Sequence, residues 1–157
     1  MVVGFDIGGI VDEVGDSEVL HSFFSTISYH LEPDGWGSKY PELMLQLYEG
    51  RLESSYASKV LKDVLEIREK LRTIPADQVV WDIDDLEIGR PLGWDVSFED
   101  KTLSAYFVTS MGKDFFDVLI ECLEDLQKEG GYMTIEPIED LLDEEVEGAE
   151  FFPKTEL

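Results

Sequence analysis

The sequence has one cysteine, no long apolar run and few basic residues, and each shortage narrows the class of protein. Cys122 alone cannot form a disulfide within the chain, which is typical of a reducing compartment. No apolar stretch approaches the roughly 18–20 residues that a membrane-spanning helix needs. The N-terminal residues lack the basic region that precedes the apolar part of a secretory signal. We therefore expect a cytoplasmic protein.

Basic residues are outnumbered three to one by acidic residues. The 157 residues contain 12 Lys and Arg against 36 Asp and Glu, for a formal net charge of −24. Solubility of a small domain requires a net charge of only about 2–8 in magnitude. A field of this sign repels nucleic acid and anionic membranes and attracts basic proteins. We expect a basic protein partner and neither a nucleic acid nor a membrane partner, although a saline or acidic habitat would also explain the charge.

Residues that carry catalysis show no recognised pattern. His21 and His30 lie nine positions apart on one predicted helix, which turns by about 900 degrees over that distance, so we expect them on opposite sides. No nucleophile elbow, Walker loop, zinc spacing or complete dinucleotide fingerprint occurs. Cys122 lies in an apolar stripe, where a thiol usually packs without reacting. We predict a protein that is not an enzyme and uses no cofactor.

The hydrophobic periodicity predicts an α+β fold. Apolar residues at helical spacing predict four helices: one from a cap at Asp16 or Ser17 to a stop at Pro33, and three over about residues 41–50, 53–73 and 114–128. Runs rich in β-branched and aromatic residues predict four strands, at residues 2–7, 79–83, 105–109 and 132–136. We expect a small mixed or antiparallel sheet of about four strands covered by about four helices.

The length of the chain predicts one domain, over residues 1–136, followed by an acidic C-terminal extension. Residues 139–150 contain seven acids, and their apolar residues lie at helical spacing. The extension at residues 137–157 is therefore either a short docked helix or a disordered acidic tail.

Two predicted loops combine aromatic and acidic residues. Gly35 and Gly37 flank Trp36 and let the backbone turn sharply, so that Trp36 either folds back on the helices or stands out as an anchor. The acids after residue 81 lack the calcium-loop signature, and we predict no metal ligand among them. From the chemistry of these loops we predict partner contacts at Asp34, Trp36, Tyr40, Asp82, Asp84, Asp85, Glu87, Trp94 and Asp95.

Five segments together resemble a known family. They are Leu20-His-Ser-Phe-Phe-Ser-Thr-Ile27, Gly35-Trp-Gly-Ser-Lys-Tyr-Pro41, Leu47-Tyr-Glu-Gly-Arg-Leu52, Val80-Trp-Asp-Ile-Asp-Asp-Leu86 and Tyr106-Phe-Val-Thr-Ser-Met-Gly-Lys-Asp-Phe-Phe116. Over about residues 1–127 the chain resembles the immunity protein 70 family of bacterial polymorphic-toxin systems. The resemblance implies a protein that binds and silences a cognate toxin domain.

Three functions agree with these observations. The first is an immunity protein whose acidic surface occupies the basic active site of a nuclease-type toxin, a site that is basic because it holds phosphates. The second is an acidic regulatory module that binds a basic protein with no toxin involved. The third is a small metal-dependent hydrolase built on a cluster of carboxylates. Among these we expect the toxin inhibitor.

Overall fold

The computed structural model describes residues 1–138, which form an antiparallel sheet with helices on one face. Strands β1 (Val2–Ile7) and β2 (Ile10–Asp16) form a hairpin across Gly8 and Gly9, whose φ angles of 61° and 93° suit a two-residue turn. Strands β3 (Arg51–Glu53) and β4 (Tyr132–Pro137) complete the sheet, in the order β2-β1-β4-β3. The predicted α+β class and the small antiparallel sheet are confirmed.

Most helices lie where the periodicity predicts them. The α-helices are α1 (Ser17–Leu31), α2 (Ala57–Leu71), the single turn α3 (Leu103–Tyr106) and α4 (Phe115–Glu129), with a π-helical segment at Glu42–Leu47 and 3-10 turns at Ser54–Tyr56 and Ala76–Gln78. Asp16 caps α1 by accepting a hydrogen bond from the backbone N–H of Glu18. Within residues 1–138, none of the helices combines the length and the apolar character needed to cross a bilayer.

The core lies between the inner face of the sheet and the apolar stripes of the helices. Phe23 of α1 is at its centre, 5.0 Å from Phe116 and 5.4 Å from Phe107 between ring centroids, both in edge-to-face geometry. Phe5 of β1 and Met133 of β4 face the same core and are 2% and 0% exposed. Burial of each such side chain stabilises the fold by roughly 1.5–3 kcal/mol, so α1 and the sheet are held together mainly by apolar packing.

The predicted strand at residues 79–83 is wrong, because this segment runs beside α1 outside the sheet. The backbone N–H of Val80 donates to Thr26 Oγ1 at 3.0 Å, and the Val80 carbonyl accepts from the hydroxyls of Ser22 and Thr26 at 2.8 and 3.1 Å. The backbone N–H of Ile83 donates to Ser25 Oγ at 3.2 Å. Hydroxyl side chains of α1 thus make the hydrogen bonds that a neighbouring strand would make. An apolar run in the sequence does not show which groups will form hydrogen bonds with its backbone.

The predicted strand at residues 105–109 is also wrong. Its first residues end the helical turn α3, and Val108 makes only an isolated bridge to Asp114. Its aromatic residues Tyr106 and Phe107 are 0% and 1% exposed. They belong to a residue type that is common in strands, but here they are present because they pack in the core. The periodicity does not predict β2 or β3, because acids interrupt the apolar alternation of β2 and β3 spans three residues.

The predicted domain boundary at residue 136 falls near the end of the described residues. Strand β4 ends at Pro137, and the backbone N–H of Ile138 donates to the carbonyl of Val2 at 2.8 Å. Most of the predicted acidic extension, residues 139–157, lies outside the described residues. The boundary and the extension therefore stay predictions.

A buried carboxylate holds the loop that follows α1. Glu32 is 3% exposed. Its Oε1 accepts from the backbone N–H of Gly37 at 3.0 Å, and its Oε2 accepts from those of Lys39 and Tyr40 at 3.0 and 2.9 Å. Three backbone N–H groups within residues 37–40 therefore depend on one side chain, which fixes the shape of the loop that follows Trp36.

We expect Glu32→Ala to lower the free energy of unfolding by about 3 kcal/mol or more, because each buried N–H left without an acceptor costs roughly 1–3 kcal/mol. Glu32→Gln keeps one acceptor oxygen and should lose less. Urea unfolding followed by tryptophan fluorescence measures both. The control is Asp34→Ala, an exposed position in the same loop, which should stay within about 0.5 kcal/mol of the wild type. Equal losses at Glu32 and Asp34 would contradict the role given to Glu32.

Candidate partner-binding site

The two loops that carry the predicted contacts meet at His21 on α1. We name residues 34–40 the tryptophan loop and residues 81–95 the acidic segment. His21 lies 2.6 Å from Tyr48 Oη through Nδ1 and 3.3 Å from Asp82 Oδ1 through Nε2. Its ring stacks on Trp36, with centroids 6.3 Å apart and planes 26° apart. With the proton on Nε2, the imidazole accepts from Tyr48 and donates to Asp82, so one side chain joins both loops.

Trp36 folds back onto the helices and keeps part of its ring at the surface. Its indole N–H donates to the carbonyl of Met44 at 3.2 Å, and its ring lies 5.4 Å from that of Tyr48. Trp36 is half-buried against the core. The tryptophan is therefore fixed in place by contacts within the protein, and its ring stacks on His21.

Hydrogen-bonded turns order the acidic segment. Asp82 Oδ1 accepts from the backbone N–H of Asp84 at 2.9 Å, and the Asp82 carbonyl accepts from that of Asp85 at 3.1 Å. Asp85 Oδ1 in turn accepts from the N–H of Glu87 at 3.1 Å. Asp84, Asp85 and Glu87 remain exposed. The turns consequently order the backbone from which these carboxylates extend into solvent.

The far end of the acidic segment is attached to the core through Trp94. The Trp94 indole N–H donates to Tyr106 Oη at 2.8 Å, and its ring lies 6.4 Å from that of Trp81. A pocket of about 320 Å³, lined by His21, Tyr48, Trp81 and Asp82 among others, lies at the near end. Aromatic rings thus border the acidic segment from Trp36 to Trp94.

The structure brings two of the predicted contacts, Trp36 and Asp82, together at His21. The carboxylates of Asp84, Asp85 and Glu87 are exposed, and Trp94 is half-buried. Tyr40 differs, because it is 1% exposed and its hydroxyl donates to Glu66 Oε2 of α2 at 2.8 Å. Its ring contributes to the core and is not accessible to a partner. Asp34 and Asp95 are exposed, at the start of the tryptophan loop and the end of the acidic segment.

Sequence reasoning missed the residues that join the two loops. His21 and Tyr48 become neighbours only when α1 packs against the residues after the π-helical segment. His30 Nε2 lies 2.8 Å from the carbonyl oxygen of Gln78, so both histidines contact the segment 78–82 although nine positions separate them. The sequence does contain a signal for the contact between α1 and residues 80–83, because Ser22, Ser25 and Thr26 place hydroxyls at the spacing of one helix face.

His21, Asp82 and Asp84 form a group of side chains of the types that bind metal ions. One ligand atom from each lies within 4.8 Å of the others. A divalent cation could use such a set. Asp82 Oδ1 already takes part in hydrogen bonds with His21 and Asp84, so hydrogen bonding alone accounts for the geometry.

The comparison with protein families defines the class of this protein. Residues 5–135 match the model of a family described as immunity protein 70. The chain belongs to the immunity protein 70 family, as the resemblance of the five sequence segments implies. Comparisons with curated proteins and with solved structures gave no match.

We expect Tyr48→Phe to lower the free energy of unfolding by about 1 kcal/mol, because it removes one side-chain hydrogen bond to His21 without changing the packed volume. Amide hydrogen exchange at residues 82–85 should accelerate as the His21 contact to Asp82 loosens. Tyr29→Phe is the matched control, since Tyr29 lies on α1 with 52% of its surface exposed. If both variants behave like the wild type, the Tyr48 hydroxyl does not support the junction.

Asp82 provides a test that depends on pH. The N–H of Asp84, and then the imidazole of His21, hold the pKa of Asp82 below its ordinary range. A pKa lowered in the folded state stabilises the fold above the unfolded-state pKa, about 3.9, and this contribution disappears as the pH falls through the folded-state pKa. Asp82→Asn should therefore be less stable than the wild type at pH 7, and the difference should narrow below about pH 4.

Urea unfolding at a series of pH values between 7 and 3 measures this difference. Asp95→Asn is the control, at an exposed position of the same segment, and should follow the wild-type profile throughout. A constant difference between Asp82→Asn and the wild type at every pH would contradict the assignment.

Proposed function

We propose that this protein binds and neutralises a cognate toxin domain through the acidic segment and the tryptophan loop, as an inhibitor without catalytic activity. The observation that supports this surface is the junction at His21, where Trp36 and Asp82 are joined beside exposed carboxylates on ordered turns. Membership of the immunity protein 70 family favours a toxin partner over a regulatory module with no toxin.

A nuclease-type toxin suits the charge of the chain. Such an active site is basic because it holds phosphates. Carboxylates of an inhibitor pair with the same basic residues and are not cleaved by the nuclease. The net charge of −24 accelerates association with a basic partner, to rates of roughly 10⁸–10⁹ M⁻¹s⁻¹ at low salt. Asp84, Asp85 and Glu87 are exposed and close together in the sequence, so they supply a concentrated negative field. We place the interaction in the cytoplasm, in agreement with the single buried thiol of Cys122.

The triple variant Asp84→Asn, Asp85→Asn, Glu87→Gln should lower the association rate constant at least tenfold, because it removes three charges while keeping acceptor oxygens for the turns. The partner for this measurement is the toxin domain encoded beside the gene, with stopped-flow kinetics from 20 to 300 mM NaCl. The dependence of the rate on salt should become weaker in the variant.

The control variant removes three exposed charges from α4, as Glu121→Gln, Glu124→Gln and Asp125→Asn. It has the same net charge as the first variant and should change the rate by less than threefold. Equal effects of the two variants would mean that total charge matters and that the acidic segment does not. Failure of the wild type to protect cells that express the toxin would refute the function itself.

A further inference from the structure

The acidic segment exposes three large apolar side chains that the charges do not explain. Leu86, Ile88 and Leu92 are 62%, 47% and 104% exposed. Single exposed apolar residues are ordinary on a protein surface, whereas these three lie within seven positions of one acidic segment. We name these three residues the apolar tips.

Two hydrogen-bonded turns hold the apolar tips in position. The backbone N–H of Ile88 donates to the carbonyl of Asp85 at 3.1 Å, which places Leu86 in the middle of a four-residue turn. The N–H of Trp94 donates to the carbonyl of Pro91 at 3.2 Å, which places Leu92 in the middle of a second turn. Gly93 follows Leu92 with a φ of 90°, a conformation that this turn requires and that glycine adopts without strain.

Both turns are attached to the body of the protein. The first turn follows Asp82, which contacts His21 on α1. The second turn ends at Trp94, whose indole N–H donates to the hydroxyl of the buried Tyr106. Residues 79–102 contain no helix or strand, and a segment of this length without regular structure in a compact domain is commonly functional. Ordering the tips before binding lowers the entropy lost when a partner covers them.

The charge around the apolar tips restricts the partner. Residues 81–95 contain five acids and one base, Arg90, for a net charge of −4. A complementary surface therefore has an apolar cleft with Lys and Arg at its rim. An anionic membrane is disfavoured, because this charge would be repelled at its surface.

We propose that Leu86, Ile88 and Leu92 insert into an apolar cleft of the toxin domain that is bordered by basic residues. This inference rests on the proposed function and divides the binding surface into two parts. The carboxylates determine how fast the complex forms, because they act at a distance. The apolar tips determine how long it lasts, because their burial contributes only after contact.

The double variant Leu86→Ser, Leu92→Ser tests this division against the same toxin domain. We expect its dissociation rate constant to rise at least tenfold, with the association rate constant within twofold of the wild type. The control is Ile10→Ser, Leu65→Ser, which removes apolar side chains that are 75% and 47% exposed elsewhere on the surface. Its two rate constants should both stay within twofold. Both variants should keep the wild-type midpoint of urea unfolding, since the altered side chains are exposed.

The outcomes separate this inference from the proposed function. Wild-type binding with an unchanged dissociation rate in the Leu86→Ser, Leu92→Ser variant would overturn the inference and leave the function standing. Absence of wild-type binding would overturn the function. Sedimentation equilibrium and flotation with phosphatidylcholine vesicles test other occupants. Dimerisation or vesicle binding by the wild type that the double variant loses would assign the tips to a second copy or a lipid surface, against the inference.

Discussion

The hydrogen bonds between α1 and residues 80–83 hold the candidate surface in place. Ser22, Ser25 and Thr26 are each 0% exposed, and their hydroxyls bond to the backbone of this segment. Each of these hydrogen bonds contributes about 0.5–1.5 kcal/mol, so the segment would lose several kcal/mol of stability if it left α1. Asp82, within this segment, is thereby brought to His21, and the acidic segment begins from a fixed point.

A surface anchored in this way can carry much negative charge without losing its shape. Carboxylates close together repel one another, and in a flexible loop this repulsion would spread the chain. Here Asp82 and Asp85 each accept backbone hydrogen bonds from the turn that they begin, so two of the charges stabilise the conformation that presents the others. The turn that begins at Asp85 also exposes Leu86, and a second turn, from Pro91 to Trp94, exposes Leu92. Hydrogen-bonded turns therefore order the backbone that carries both the exposed carboxylates and the apolar tips.

The elements that sequence reasoning predicted are those with a strong local signal. Helices α1, α2 and α4 follow from apolar stripes, and β1 and β4 from short alternating runs. The segment 79–83 misleads, because its apolar residues pack as a strand would while its backbone bonds to hydroxyls of α1. Whether the backbone of this segment bonds to a strand or to hydroxyls depends on a helix more than fifty residues earlier in the chain. The residues of the segment itself do not indicate it.

In the candidate site, too, some features follow from the local sequence and others depend on residues distant in the chain. The acids of residues 82–87 are evident from composition, and their exposure follows from their chemistry. The burial of Tyr40 could not be predicted, because an aromatic residue in a glycine-containing loop packs inward or outward according to its neighbours, here Glu66 on α2. The junction at His21 joins residues from three separated parts of the chain, His21, Tyr48 and Asp82, and exists only in the folded protein.

The central claim is that the acidic segment and the tryptophan loop together bind the toxin. Hydrogen–deuterium exchange of the protein, free and in complex with the toxin domain encoded beside its gene, tests it directly. The account predicts that exchange slows on binding in residues 34–40 and 81–95. Slowed exchange confined to the outer surfaces of α2 and α4, with residues 81–95 unchanged, would contradict it.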